Sequence, residues 1–203
     1  MLIIEALLLY GFVPLLVLLP LPRGVMPAVM LATLAYVLVQ GKRHGVIPRR
    51  SFGLNGFRRF GPMLLLFALF ALGSTAVVAF LEPEQLFSVV RTDPGLWLRM
   101  LFIYCCFSVY PQALLFRGFF VERYRSLFRD ERRLVLVNAA AFAWAHNIIP
   151  HPLVYLLTFC GGILFCRTWL KSRSVLAVSI EHALYGFWLF TVGLGGYFAF
   201  PGV

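Results

Sequence analysis

Apolar residues in this chain come in long blocks, not in the alternating or one-faced patterns of soluble strands and helices. Seven blocks can be drawn: about Leu2 to Leu19, Met26 to Val39, Met63 to Phe80, Leu96 to Phe116, Leu134 to Ala145, Leu153 to Trp169, and Val175 to Val192. A helix needs roughly 20 residues to cross a 30 Å hydrocarbon layer, and most of the blocks reach or approach that length. The second and fifth are short. The first imitates a secretory signal in hydropathy. It has no basic leader, however, carries Glu5, and lacks a small-residue cleavage site before Pro20 and Pro22, so it is read as a retained helix. The pattern predicts an all-α, polytopic integral membrane bundle of about seven transmembrane helices. No internal repeat argues for a transporter built of duplicated halves.

Composition makes lipid the required solvent. Of the 203 residues, 61% are apolar even without glycine and 13% are charged. A soluble domain reaches about 45–50% with glycine included and about 25% charged. The net charge of +10 suggests nucleic acid in a soluble protein. Here the basic residues sit between apolar blocks, which points to anionic lipid headgroups and to no nucleic-acid partner. The connection between blocks two and three holds Lys42, Arg43, Arg49, Arg50, Arg58 and Arg59. After block four come Arg117, Arg123, Arg125, Arg129, Arg132 and Arg133, and between six and seven lie Arg167, Lys171 and Arg173. These alternate connections carry 15 of the 18 basic residues, so the positive-inside rule makes that side, and the amino terminus, cytoplasmic. The four cysteines show no CxxC or zinc spacing and read as small hydrophobes.

Ionisable and strongly polar residues stranded in apolar blocks are the candidates for chemistry, because lipid makes each costly without a cavity or partner. They are Gln112 and Arg117 on block four, His146 and Asn147 at the end of block five, His151 just beyond, and Glu181 with His182 on block seven. At ~1.5 Å per residue, Gln112 lies roughly 16 Å from Arg123, His146 roughly 20 Å from Arg133, and His182 roughly 14 Å from Arg173. Similar depths predict one shared site near mid-bilayer. Phe142 and His146 are one turn apart, as are His182 and Gly186, where glycine leaves room for close approach or for substrate. On a regular helix Arg117 lies about 140° from Gln112, and Glu181 about 100° from His182. The break from Asn147 to Pro152 predicts backbone beside a wet cavity. Each residue also has a structural reading. His146 and His182 can be interhelical glue, Arg117 can snorkel to headgroups, Glu181 can be a counter-ion, and His151 can be an interfacial loop residue. The glycine pairs Gly161–Gly162 and Gly195–Gly196 read as close-packing or turn positions.

Three segments in order resemble the motifs of the CAAX-processing and bacteriocin-processing (CPBP) family of intramembrane glutamic endopeptidases, whose eukaryotic members are the type II CAAX prenyl endopeptidases. That family is recognised by Glu-Glu-x-x-x-Arg-Gly, Phe-x-x-x-His and His-x-x-x-Asn. Here they stand as Gln112-Ala113-Leu114-Leu115-Phe116-Arg117-Gly118, Phe142-Ala143-Trp144-Ala145-His146, and His182-Ala183-Leu184-Tyr185-Gly186. The resemblance covers about Leu96 to Val192. It divides the chain into about three N-terminal transmembrane helices (residues 1–95) and a protease-like core (96–203), together one membrane domain.

What the resemblance implies is hydrolysis of peptide bonds in hydrophobic or membrane-associated substrates in a bacterial cytoplasmic (inner) membrane; two histidines without a third firm ligand make a poor zinc site, so no metal or other cofactor is expected. It implies that His146 assists the attacking water and His182 holds the oxyanion, with Gln112 lining the site and Arg117 orienting it. Phe142, Ala113 and Gly186 then line the substrate side. The departures matter. Gln112 and Ala113 stand where the family has glutamates, and an amide is no base near neutral pH. Three readings follow: Glu181 serves as the carboxylate, Ala113 replaces a glutamate, or the protein is an inactive relative that binds membrane peptides or acts as an immunity-type protein. A small transporter or channel is the third functional class, and it needs a polar path continuous across the bilayer.

Overall fold

The computed structural model describes residues 1–22, 24–46, 53 and 60–198, and among them there are helices, turns and loops but no strand. Seven helical runs answer to the seven blocks: α1 (Leu2–Leu18), α2 (Val25–Arg43), α3 (Phe60–Leu81), α4 (Pro94–Leu127), α5 (Glu131–Trp144), α6 (Pro152–Ser172) and α7 (Val175–Phe198). By length and composition α2, α3, α4, α6 and α7 can cross a membrane, whereas α1 is shorter and α5 has only 14 residues. Arg49, Arg50, Arg58 and Arg59 of the orientation count, and Arg23 on the opposite side, lie outside the described residues.

Caps set several boundaries. Asp93 accepts from Leu96 N at 2.7 Å ahead of Pro94, Asp130 from Arg133 N at 2.9 Å, and Ser174 from Ala177 N at 3.1 Å. Each satisfies a donor that a helix start leaves orphaned. His151 caps α6, its Nδ1 accepting from Leu153 N at 3.3 Å, which gives this residue a local structural job.

α7 is the central helix, with 61% of its apolar window buried, against 6% for α3, whose leucines face outward. α5 and α6 pack along their length. Gly162 permits this, since a Cβ there would lie 2.7 Å from the Ala139 Cα. The close-packing role expected of the 161–162 pair therefore falls on Gly162. α1 is built into the same core. Glu5 accepts from Arg123 (3.3 and 3.0 Å) and from the Tyr124 hydroxyl (3.2 Å), and Trp144 donates to the Gly11 carbonyl at 3.0 Å.

α4 departs from a regular helix. Two π stretches, Tyr104–Val109 and Ala113–Phe119, flank Pro111, and a third, Leu7–Phe12 in α1, ends two residues before Pro14. Proline has no N–H for the residue four back, and the wider π turn absorbs the interruption. Carbonyls loosened from the regular ladder need donors where no water competes. Tyr10 donates to the Leu115 carbonyl and Asn138 to that of Phe116, both at 2.7 Å. The irregular stretch is thus pinned from α1 and α5.

Candidate active site

Phe142, on the last turn of α5, is the hub of the candidate residues. Its ring centroid lies 4.8 Å from that of His146 and 5.5 Å from that of His182, so the two imidazoles are separated by no more than the sum of those distances. The turn after α5 and the helix α7 therefore bring both histidines to one place. His146 sits in the turn beyond α5, half-buried, because the helix ends at Trp144, short of the predicted break. Its Nδ1 lies 2.7 Å from the Phe142 carbonyl oxygen. A carbonyl can only accept, so Nδ1 is the donor, and in the neutral ring Nε2 then keeps its lone pair. Asn147, the next residue, is buried, and neither atom of its amide has a hydrogen-bond partner among the described residues.

His182 is 6% exposed and stacks on Phe165 of α6, centroids 4.7 Å apart and planes at 27°. The Tyr104 ring meets it edge-on at 6.0 Å and 85°. Beside Gly186 the predicted room is already filled by the Tyr104 hydroxyl end.

Arg117 does not snorkel. It is 1% exposed, with Cζ 4.1 Å from the centroid of Phe142 and 5.4 Å from that of Phe165, and Nη2 donates to the Gly162 carbonyl at 3.3 Å. No ion pair of Arg117 is found among the described residues. Its place in the cytoplasmic charge count is corrected accordingly: this guanidinium belongs to the core, held by ring faces and a carbonyl. The π turn from Ala113 to Phe119 removes the regular-helix premise that set Arg117 about 140° from Gln112. Fewer degrees of rotation per residue bring positions five apart toward a common face.

Gln112 donates to the Ser108 hydroxyl at 2.8 Å, and its carbonyl oxygen is buried without a partner among the described residues. Ala113 is 1% exposed in the same layer. Glu181 is 3% exposed, sits beside Thr168, and has one carboxylate oxygen unpartnered among the described residues. α7 is regular from Val175 to Leu189, so the local distortion that would aim Glu181 and His182 at one water is not there. Glu181 instead lies within electrostatic range of Arg117 and Lys171.

A largely apolar groove of about 350 Å³ opens between α4 and α7, lined among others by Cys105, Val109, Tyr110, Leu176, Ile180 and Ala183. Among the described residues no three His, Cys, Asp or Glu side chains gather as a metal site. Sequence reading missed Asn138 and Tyr104. A lone amide in the Val137-Asn138-Ala139 run was the available signal for the first; a tyrosine in an apolar run gives almost none.

Comparison with known proteins agrees with the motif reading. Residues 94–188 match the model of a family described as Type II CAAX prenyl endopeptidase Rce1-like. No curated protein and no solved structure matches the chain.

Proposed function

Since residues 94–188 form an Rce1-like segment within a helical membrane bundle, we propose that the protein is an intramembrane endopeptidase acting on peptide bonds of hydrophobic, lipid-proximal substrates. The observation that carries this reading is the 2.7 Å contact of His146 Nδ1 with the Phe142 carbonyl, which in the neutral ring places the proton on Nδ1 and leaves Nε2 as a proton acceptor. A water held at Nε2 attacks the substrate carbonyl carbon and gives its proton to that nitrogen. The tetrahedral oxyanion takes a hydrogen bond from a ring N–H of His182. Collapse breaks the C–N bond, and the proton on His146 leaves with the amine.

The remaining candidates support this centre. Arg117 fixes the Phe142 face and through it the His146 hydrogen bond. Glu181 stands within electrostatic range of Arg117 and Lys171 and forms no ion pair with either among the described residues. Gln112 and Ala113 line the substrate side, and the α4–α7 groove receives an extended apolar peptide from the lipid side. The site sits in a bacterial cytoplasmic membrane with the amino terminus inside. The contact of Glu5 with Arg123, a residue of the basic side, supports that orientation.

One observation favours a second reading, an inactive peptide-binding or immunity-type relative: an amide and a methyl occupy positions 112 and 113, so that turn offers no carboxylate. Reconstituted protein incubated with a membrane-peptide library, read by mass spectrometry, separates the two. The hydrolase reading expects cleavage by the parent or by Ala113→Glu or Gln112→Glu, lost by about 10²-fold or more in His146→Ala. No cleavage by any of the three, with peptide still bound, overturns it in favour of the second.

A further inference from the structure

Gly186 has its side-chain space taken by a phenol from α4. A Cβ built at this position would overlap the Tyr104 hydroxyl oxygen and stand 2.8 Å from Cζ and 3.2 Å from Cε1 of the same ring. Glycine is therefore what lets a rigid side chain bring its O–H against the α7 backbone one turn beyond His182. The ring is fixed on more than one side. Its edge-on approach to His182 is 6.0 Å between centroids, and Phe187 lies at 6.4 Å and 30°. Tyr104 opens the first π stretch of α4, a local register frequently found at functional sites. It is followed at four-residue intervals by Ser108 and Gln112, already hydrogen-bonded to each other. A hydroxyl, a second hydroxyl and an amide thus follow at helical spacing down the helix that faces α7.

A site that stabilises a developing oxyanion needs donors held in place before the reaction, and preferably more than one. His182 offers one N–H. A phenol O–H is a second donor, and the packing of the Tyr104 ring against His182 and Phe187 holds it in place. We propose that Tyr104 is a catalytic residue whose hydroxyl, with His182, donates to the carbonyl oxygen of the scissile peptide. This rests on the endopeptidase reading above and adds the donor which that reading leaves to a single imidazole. Gly186 is then a positioning residue: it admits no substrate itself and makes space for the phenol.

The experiment combines Tyr104→Phe, Gly186→Ala and the double variant. Tyr104→Phe keeps the ring and removes only the donor. It lowers kcat by about 10²-fold with KM nearly unchanged, in line with the loss of one oxyanion donor. Gly186→Ala displaces the ring and gives a similar loss, and the double variant is no worse than either single, because both remove one interaction. A second readout needs no turnover: the C=O stretch of a bound hydrophobic peptide ketone, ¹³C-labelled at the carbonyl. It falls to lower frequency in the parent, falls further with trifluorotyrosine at position 104, a stronger donor, and returns toward the free value in Tyr104→Phe. A Tyr104→Phe variant with the parent's kcat and the parent's carbonyl shift overturns the assignment while leaving the endopeptidase reading standing. Failure of the parent, Ala113→Glu and Gln112→Glu all to cleave peptide removes that reading, and this one with it.

Discussion

Replacing Arg117 by lysine should destabilise the protein more than replacing it by methionine, although lysine is the residue that keeps the charge. The Arg117 Cζ lies 4.1 Å from the Phe142 ring centroid and 5.4 Å from that of Phe165, and its side chain donates to the Gly162 carbonyl at 3.3 Å. A desolvated cation–π contact contributes about 2 kcal/mol, and a hydrogen bond from a charged donor about 1.5–3 kcal/mol. Together these offset the cost of burying a cation that has no ion-pair partner among the described residues. Arg117→Lys keeps that cost and loses the planar fork and ring stacking, for a net loss of about 3 kcal/mol. Arg117→Met leaves apolar volume against the same rings and removes the desolvation cost, so its loss stays within about 1 kcal/mol. Reversible unfolding with sodium dodecyl sulfate in mixed micelles, followed by tryptophan fluorescence, gives both numbers on one scale. An Arg117→Met variant as unstable as Arg117→Lys, or more so, refutes the view that ring faces and not a counter-ion hold this charge.

Other consequences use the same unfolding assay. Gly162→Ala brings its Cβ to 2.7 Å from the Ala139 backbone, forcing α5 and α6 apart at a cost of about 1–3 kcal/mol. Gly161→Ala meets only the edge of the Phe165 ring at 3.1 Å and costs clearly less, so equal effects contradict the packing described. Asn138→Ala and Tyr10→Phe each strip a donor from a π-turn carbonyl and lose about 1 kcal/mol. A neutral result for both would mean that those carbonyls need no partner.

Much of the fold was legible because lipid imposes a coarse code. Hydropathy alone located seven helices, and the polar residues stranded in or beside the apolar blocks included both histidines that meet at Phe142. Charge was the weaker guide. The apolar pattern of block four stops at Phe116, with Arg117 next, yet α4 runs to Leu127: Arg117 is buried among rings and Arg123 is paired with Glu5. The π stretches were not legible either. Pro111 and Pro14 hint at an interruption, but a π turn in lipid persists only with outside donors, and Tyr10 and Asn138 come from distant parts of the chain. Tyr104 stayed hidden for a related reason: its meaning lies in the glycine opposite, 82 residues later.

The claim on which the chemistry turns is the position of one proton. Nitrogen-15 NMR of histidine-labelled protein in nanodiscs, with His146→Ala used to assign the signal, reads it directly. The account predicts a neutral His146 ring protonated at Nδ1, with an unprotonated Nε2 whose shift responds when a peptide ketone occupies the site. A ring protonated at Nε2 instead, or one indifferent to the ketone, leaves the attacking water without its base and contradicts the account.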